Sequence, residues 1–490
     1  MGDERGKSTG QRQLSKAQLE RRRKRRRKAY MMRAACVAAL LLIIFGTIFG
    51  VRAVIKNKEA KKQEEAAAAA AQEAEVQKEA DAENVLIAQA EVTAMGYDYD
   101  GAIQQLQAIP DYAGNATITG KIAEYEAAKT KLVPVDVETV SHVFFHTLVA
   151  DPSITWNLTG ANEYKIADYN QVMTTIDEFN KIMQQMYDRG YVLVNIRDLV
   201  VETTDADGNI SFAKNENLML PEGKKPFVLS QDDVSYYFYM TGDGYADKLI
   251  VGEDGKPTNE YTQQDGTVVT GSYDVVPCLD DFIEAHPDFS YKGAKGILAL
   301  TGYNGVLGYR TDPDLAKTAE EGNKNATEYG VFDYQAEIEK AKPVVQALKD
   351  DGWEFASHSY GHISYGSSFD KVKTDADKWQ ERVANVIGPT DIIIYPFGTD
   401  IGSWTEYEDT NETYQYLKGQ GFRFFCNVDS NLYWVQITQD YVRQGRINLD
   451  GYRMYQDIHN GANKLTELFD PATVFDPNRP TAGLDDWDDK

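Results

Sequence analysis

Residues 353–362 read WEFASHSYGH. A short run of apolar and aromatic residues ends abruptly in two histidines, His358 and His362, four positions apart. The whole chain has only six histidines in 490 residues. Three other stretches share this form. PFVLSQDD (226–233) ends in Asp232 and Asp233, DIIIYPFG (391–398) ends in Pro396, Phe397 and Gly398, and HVFFH (142–146) ends at His146. Short apolar runs bounded by polar or turn residues are the pattern of strands buried on both faces. YVLVNI (191–196), GILALTG (296–302) and FRFFCNV (422–428) are further strands of this kind. Helical patterns separate them: 169–190, closed by a glycine, and 332–351. This alternation predicts an α/β fold with parallel strands inside and helices outside, as a barrel or an open sheet. In such folds functional side chains collect at the C-terminal ends of the strands.

The residues at those ends have a chemistry in common. One aspartate with two histidines is a donor set for zinc or a similar divalent ion with positions left for water. The second aspartate of the pair, Asp232, then stays off the ion and takes a proton from water made acidic by it. The zinc-protease helix is excluded, because Ser359 stands where that motif requires a glutamate.

SQDD, HSYGH and YPFG, in that order, resemble the motifs of the polysaccharide deacetylases with a NodB-type domain, the carbohydrate esterase family 4 group. The lead-in VVQALKDDGWEFASHSYGH resembles the helix and strand before that family's histidines. FFH (144–146) resembles the opening strand of its members that act on extracellular poly-glucosamine. The resemblance spans roughly residues 140–450. It implies a distorted (β/α) barrel of the NodB type, with Asp233, His358 and His362 holding a divalent metal, Zn2+ with Co2+ or Ni2+ as alternatives. It also implies Asp232 as general base, the Phe397 backbone N–H as an oxyanion donor, and Tyr395 and Pro396 around the acetyl group.

The sequence departs from the family pattern in three places. Gln231 replaces an aromatic residue, no arginine precedes YPFG, and the late Leu-x-His that supplies a general acid is missing, with VRQGRINLDGYRM (442–454) near its place. His146 is the first candidate for the acid, because its strand is expected beside the one bearing Asp232. Arg446 is a candidate to orient Asp232. Tyr303, and with it Tyr309, are candidates for stacking on sugar rings, with ordinary packing as the alternative. His286 and His459 are expected to be structural.

Charge divides the chain. Residues 1–33 carry 13 basic and 3 acidic side chains, which leaves 38 basic and 73 acidic for the remainder, a net of −35. An acidic body argues against nucleic acid as the main partner. The basic tail is followed by AACVAALLLIIFGTIFGV (34–51), 18 residues without a charge. That length spans a bilayer, and the flanking positive charge keeps the N-terminus cytoplasmic. No small-x-small cleavage site follows, so a retained single-pass anchor over 34–55 is expected at the cell membrane, with the body outside.

Residues 56–133 read as a helical stalk, either plain or ending in one hairpin of tetratricopeptide type, and 134–465 as the catalytic domain, opened by a linker at 132–140. An inserted β-hairpin or lid is expected around 240–275, where EDGKPTNEYTQQDGTVVTGSYD (253–274) holds two Asp-Gly pairs. The Pro- and Asp-rich 466–490 is a tail that wraps the surface or frays. Cys278 and Cys426 either pair or remain buried thiols. The expected partner is an acetylated cell-envelope polysaccharide with GlcNAc- or MurNAc-type units. A catalytically weak or inactive glycan-binding scaffold and an O-acetyl xylan-type esterase are the alternatives.

Overall fold

The computed structural model describes residues 77–485 apart from 79 and 430. The basic tail and the expected anchor at 34–55 lie outside the described residues, as do 56–76 and 486–490. No helix among the described residues is long and apolar enough to cross a membrane.

Eight parallel strands carry the domain: β1 (Ser141–Phe145), β2 (Tyr191–Leu193), β3 (Lys225–Gln231), β4 (Ile297–Leu300), β5 (Glu354–Ser357), β6 (Ile392–Ile394), β7 (Phe424–Val428) and β8 (Val442–Asn448). Seven of them close a ring in the order β4-β5-β6-β7-β8-β1-β3 and back to β4. β2 shares an edge of β3 with β4. It pairs with the first half (Leu193 opposite Phe227), and β4 pairs with the second (Ile297 opposite Ser230).

Strand alternation sorts the side chains. Val143, Leu229, Leu298, Ile393 and Phe425 face outward into a core shared with the surrounding helices. Val228, Ala299, Ala356, Ile394, Cys426 and Val442 form a separate cluster that fills the ring. Further along the same inward rows come polar residues, all buried: His142, Ser230, Asp232, His358, Gln444 and Arg446. The ring is therefore apolar at one end and polar at the end where the strands finish.

Several elements differ from the sequence expectation. The single helix expected over 169–190 is two, Lys165–Val172 and Ile176–Asp188. Thr175 breaks it by capping the second: its hydroxyl accepts from Glu178 N–H (3.1 Å), and the Glu178 carboxylate accepts from Thr175 N–H (2.8 Å). The expected linker at 132–140 begins as a strand, Leu132–Pro134, antiparallel to Met219–Pro221. β8 was not anticipated as a strand, because its inward residues are polar and give no apolar run. The insertion is a three-stranded antiparallel sheet, Lys248–Val251, Pro257–Thr262 and Val268–Gly271, turning at the two Asp-Gly pairs. Gly255 and Gly266 take φ of +83° and +81° there, a conformation other residues adopt at a cost.

Residues 83–129, expected within the stalk, are three helices with a small core of Ile87, Ala90, Ile103, Leu106, Ile118 and Tyr125. They pack on the barrel: Lys292 N–H donates to Gly96 O (2.8 Å) and the Tyr97 hydroxyl to Asp288 O (2.8 Å). The tail does not fray up to residue 485. Leu468, Phe469 and Val474 are buried, and the fully buried Arg479 pairs with Glu178 and donates to Asn170 O (3.1 Å) and Met173 O (3.2 Å). Cys278 and Cys426 are both buried free thiols.

Candidate metal centre

β3 and β5 end side by side with β4 between them, and their last residues converge. The donor atoms of Asp233, His358 and His362 all lie within 4.8 Å of one another. His362 Nε2 is 3.8 Å and His358 Nε2 4.0 Å from the Asp233 carboxylate. These separations suit one ion held between the three groups better than direct hydrogen bonds among them. The groups behind these donors hold them in place. His358 Nδ1 lies 2.8 Å from the Ile394 carbonyl, which fixes the ring with Nε2 toward Asp233. The hydroxyl of Tyr237 donates to Asp233 (2.5 Å) and contacts the hydroxyl of Thr301 (2.6 Å). The loop between the histidines is held by Asp375, which accepts from the N–H groups of Tyr360 (2.7 Å) and Gly361 (2.9 Å).

Half of the non-glycine residues with positive φ among the described residues stand in these loops: Asp233, Tyr236, Ser359, His362 and Phe397, at +49° to +60°. Backbone of this kind persists where surrounding contacts over-determine it, and it collects at functional sites. Asp233 in this conformation turns away from the inward row that Asp232 continues.

Asp232 therefore has different surroundings. Its two oxygens accept a bidentate pair from Arg446, at 2.7 and 3.0 Å. The Arg446 guanidinium lies 4.1 Å from the centre of the Phe144 ring and also reaches the Ser230 hydroxyl (3.2 Å), which contacts His142 Nε2 (3.0 Å). Burial on its own raises the Asp232 carboxyl. The Arg446 charge, with His358 and His146 behind it, outweighs burial and holds the carboxyl down at about 2. Asp233 is also held below the usual carboxylate range: burial opposes this, and His362, His358 and His146 prevail. Burial lowers His358 despite the two aspartates, so its imidazole is neutral, the form that binds metal.

The other sequence candidates are placed as follows. His146 Nε2 lies 4.0 Å from Asp233, and its strand pairs with β3, Phe145 opposite Gln231. Asp232, Asp233 and Asp450 all interact with its imidazole. Gln231 turns outward to Asp274 (2.8 Å). Phe397 is 63% exposed and sets its ring edge-on to His362, 4.5 Å between centres. Pro396 is buried. Tyr395 is fully buried, its hydroxyl paired with that of Tyr407 (3.1 Å). Tyr303 is half-buried and stacks on Tyr237 at 4.9 Å, whereas Tyr309 is buried in the core. His286 packs between Tyr187 and Phe282, and His459 against Tyr455, both outside the cluster. The sequence had not singled out Tyr237, Asp375, Ser230 or His142. The aromatic run Tyr236–Tyr239 directly after the aspartates was the one available signal. Asp375 lies inside a helix and gave none.

No family model matches the chain, and no curated protein matches it. Among solved structures, it is similar to the Streptococcus pyogenes deacetylase PplD in complex with acetate, at 16% identity over 64% of this chain and 93% of that one, TM-score 0.29. It is also similar to the deacetylase domain of BpsB from Bordetella bronchiseptica, at 12% identity over 64% of this chain and 98% of that one, TM-score 0.31. Both likenesses are distant, and the chemistry rests on the side chains described above.

Proposed function

We propose that the chain is a membrane-anchored, metal-dependent deacetylase that removes acetyl groups, N-acetyl of GlcNAc- or MurNAc-type units, from a cell-envelope polysaccharide outside the cell. The observation that carries this is the convergence of Asp233, His358 and His362 beside an Asp232 held by Arg446. The anchor is supported by the uncharged run at 34–51 and the basic tail before it. Asp233, His358 and His362 would hold the ion, Zn2+ by its donor set with Co2+ or Ni2+ as alternatives. When bound it supplies a Lewis acid that makes water acidic and polarises the acetyl carbonyl. Arg446 keeps Asp232 ionised at neutral pH and fixes its orientation, so that Asp232 accepts the proton of the attacking water. Phe397, at positive φ beside His362, offers its backbone N–H to the developing oxyanion. His146, among three carboxylates, gives the proton to the leaving amine.

The purified full-length protein is to be assayed for acetate release from chitooligosaccharides, peptidoglycan and acetylated xylan. Release should stop on chelation and return with added Zn2+. Asp232→Asn should keep its metal and lose at least roughly 100-fold in rate, while His358→Ala should lose most of its metal. The glycan-binding reading is favoured by one observation, that Arg446 engages both oxygens of the intended base. It takes over if the metal-loaded protein binds these glycans and releases no acetate from any of them.

A further inference from the structure

A second pocket opens beside the first centre. It has a volume of about 240 Å3 and lies between the segment after β3 and the loop after β4, both on the face where the barrel strands end. Tyr237 is common to both sites: it lines this pocket, and its hydroxyl holds Asp233. The walls are aromatic. Phe238 stacks on Tyr329 at 4.4 Å and packs against Phe332 at 5.7 Å.

The pocket contains a half-buried arginine, Arg310, whose guanidinium lies 4.2 Å from the centre of the Phe238 ring. Its side chain reaches two backbone carbonyls, Asn304 O at 3.1 Å and Ser235 O at 3.5 Å. Among the described residues it forms no ion pair, which holds also for Arg189, Arg423 and Arg453, but the Arg310 guanidinium lies in an aromatic-walled pocket. Glu337 and Asp247 are the acids that act on it, and Asp247 itself stands on the pocket wall. Glu337 accepts from Lys340 (2.6 Å) and from the Arg310 backbone N–H (3.3 Å), and Asp247 accepts from Thr262 (2.6 Å). Lys248, also on the wall, pairs with Glu260 at 2.8 Å. An unpaired guanidinium out of bulk water is costly, and burial pushes Arg310 down to about 10. A cation lining a pocket with no carboxylate in contact is placed to meet an anionic ligand. A guanidinium fork fits a carboxylate or phosphate through two parallel hydrogen bonds. The volume is below that of a pocket for a whole small molecule, and it suits one charged substituent of a larger ligand.

We propose that the Arg310 pocket is a subsite for an acidic substituent, a carboxylate or phosphate on a sugar, so that the preferred substrate is an anionic acetylated glycan. This rests on the deacetylase reading for the neighbouring centre, but binding tests it separately. Binding of three probes to the full-length Asp232→Asn protein is to be measured by calorimetry: a tetrasaccharide alternating N-acetylglucosamine and glucuronate, neutral chitotetraose, and N-acetylglucosamine 6-phosphate. The acidic tetrasaccharide should bind at least tenfold tighter than the neutral one. Adding Arg310→Met should remove that preference and leave chitotetraose unchanged. Arg310→Lys, which keeps the charge and the ring contact, should retain part of it and guards against a folding defect in the first variant. Comparing the glucuronate and phosphate probes tells which acid the pocket takes. Equal binding of acidic and neutral probes, no binding of either acidic probe, or a preference that survives Arg310→Met overturns the subsite. Acetate release by the wild type on the same sugars is read in parallel. Arg310-dependent binding without release ends the deacetylase reading alone, and release without charge preference ends the subsite alone.

Discussion

Asp232 and Asp280 are both largely buried aspartates beside a basic side chain, yet their surroundings shift them in opposite directions. At the end of β3, one guanidinium serves one carboxylate. Arg446 takes both oxygens of Asp232 in a fork and holds it at about 2. Where the helices at 83–129 meet the barrel, one ammonium serves two carboxylates. Lys295 pairs with Asp280 and lies 2.9 Å from Asp351, and the second oxygen of Asp280 has no hydrogen-bond partner. Burial raises Asp280, Lys295 lowers it and Asp351 raises it again, leaving it at about 7. Desolvation pushes both carboxyls up. The outcome is decided by whether the cation is shared and by whether its shape matches a carboxylate.

The largest effect expected from breaking this comparison is at Arg446. Arg446→Met leaves the Asp232 charge buried without its partner and should cost about 3–5 kcal/mol of stability in urea unfolding at pH 7. Adding Asp232→Asn should restore part of that, because the uncompensated charge is gone. A loss below about 1 kcal/mol in the single variant would mean that the pair contributes little, and Arg446 would then have to be explained by the chemistry alone.

Asp280→Asn should act in the other direction. The folded-state pKa of Asp280 is raised from the model-compound value of 3.8 to about 7. A raised carboxyl is most favourable to the fold below its unfolded value, and that stability is lost as pH rises through the folded one. Wild type therefore weakens between about pH 4 and pH 7, and Asp280→Asn should be spared this. Its thermal midpoint should exceed that of wild type at pH 8 by the equivalent of on the order of 2 kcal/mol. The gap should close toward pH 4. A gap that widens on acidification would show that Lys295 overcomes burial, and the two regions would no longer differ in kind.

The two regions were not equally legible in the sequence. The strand ends announced themselves because apolar runs stopped at Asp232, Asp233, His358 and His362. Alternation of strands and helices does not by itself place those ends together. What closes the ring is β8, and its inward residues Gln444 and Arg446 are polar, so no hydrophobic period marked it. From sequence Arg446 is legible only as a candidate to orient Asp232, and its pairing depends on the register of β8 against β1. Asp280, Lys295 and Asp351 are far apart in the chain and ordinary in type, so nothing in the residue pattern linked them. Apolar content over 56–92 is mostly alanine, so the start of 83–129 reads as the end of a spacer helix. Its packing on the barrel depends on backbone and hydroxyl contacts such as those of Gly96 and Tyr97, which leave no periodic signal.

Thr175 gives the smallest effect and a third case of the same comparison. Glu178 and Arg479 form another fully buried pair of one carboxylate and one guanidinium. Glu178 is also half of the capping box: it accepts from Thr175 N–H at 2.8 Å and from Asp476 N–H at 2.9 Å. Thr175→Ala removes the hydroxyl that accepts from Glu178 N–H and leaves the backbone donor and the ion pair in place. The expected loss is about 1 kcal/mol, the ordinary cost of a cap, with acetate release and metal content unchanged. A loss approaching that of Arg446→Met would mean that the cap, rather than the fork of Arg479, fixes Glu178 in its buried position. A one-to-one guanidinium pair would then not suffice to hold a carboxylate inside this protein, and the contrast between Asp232 and Asp280 would need a different cause.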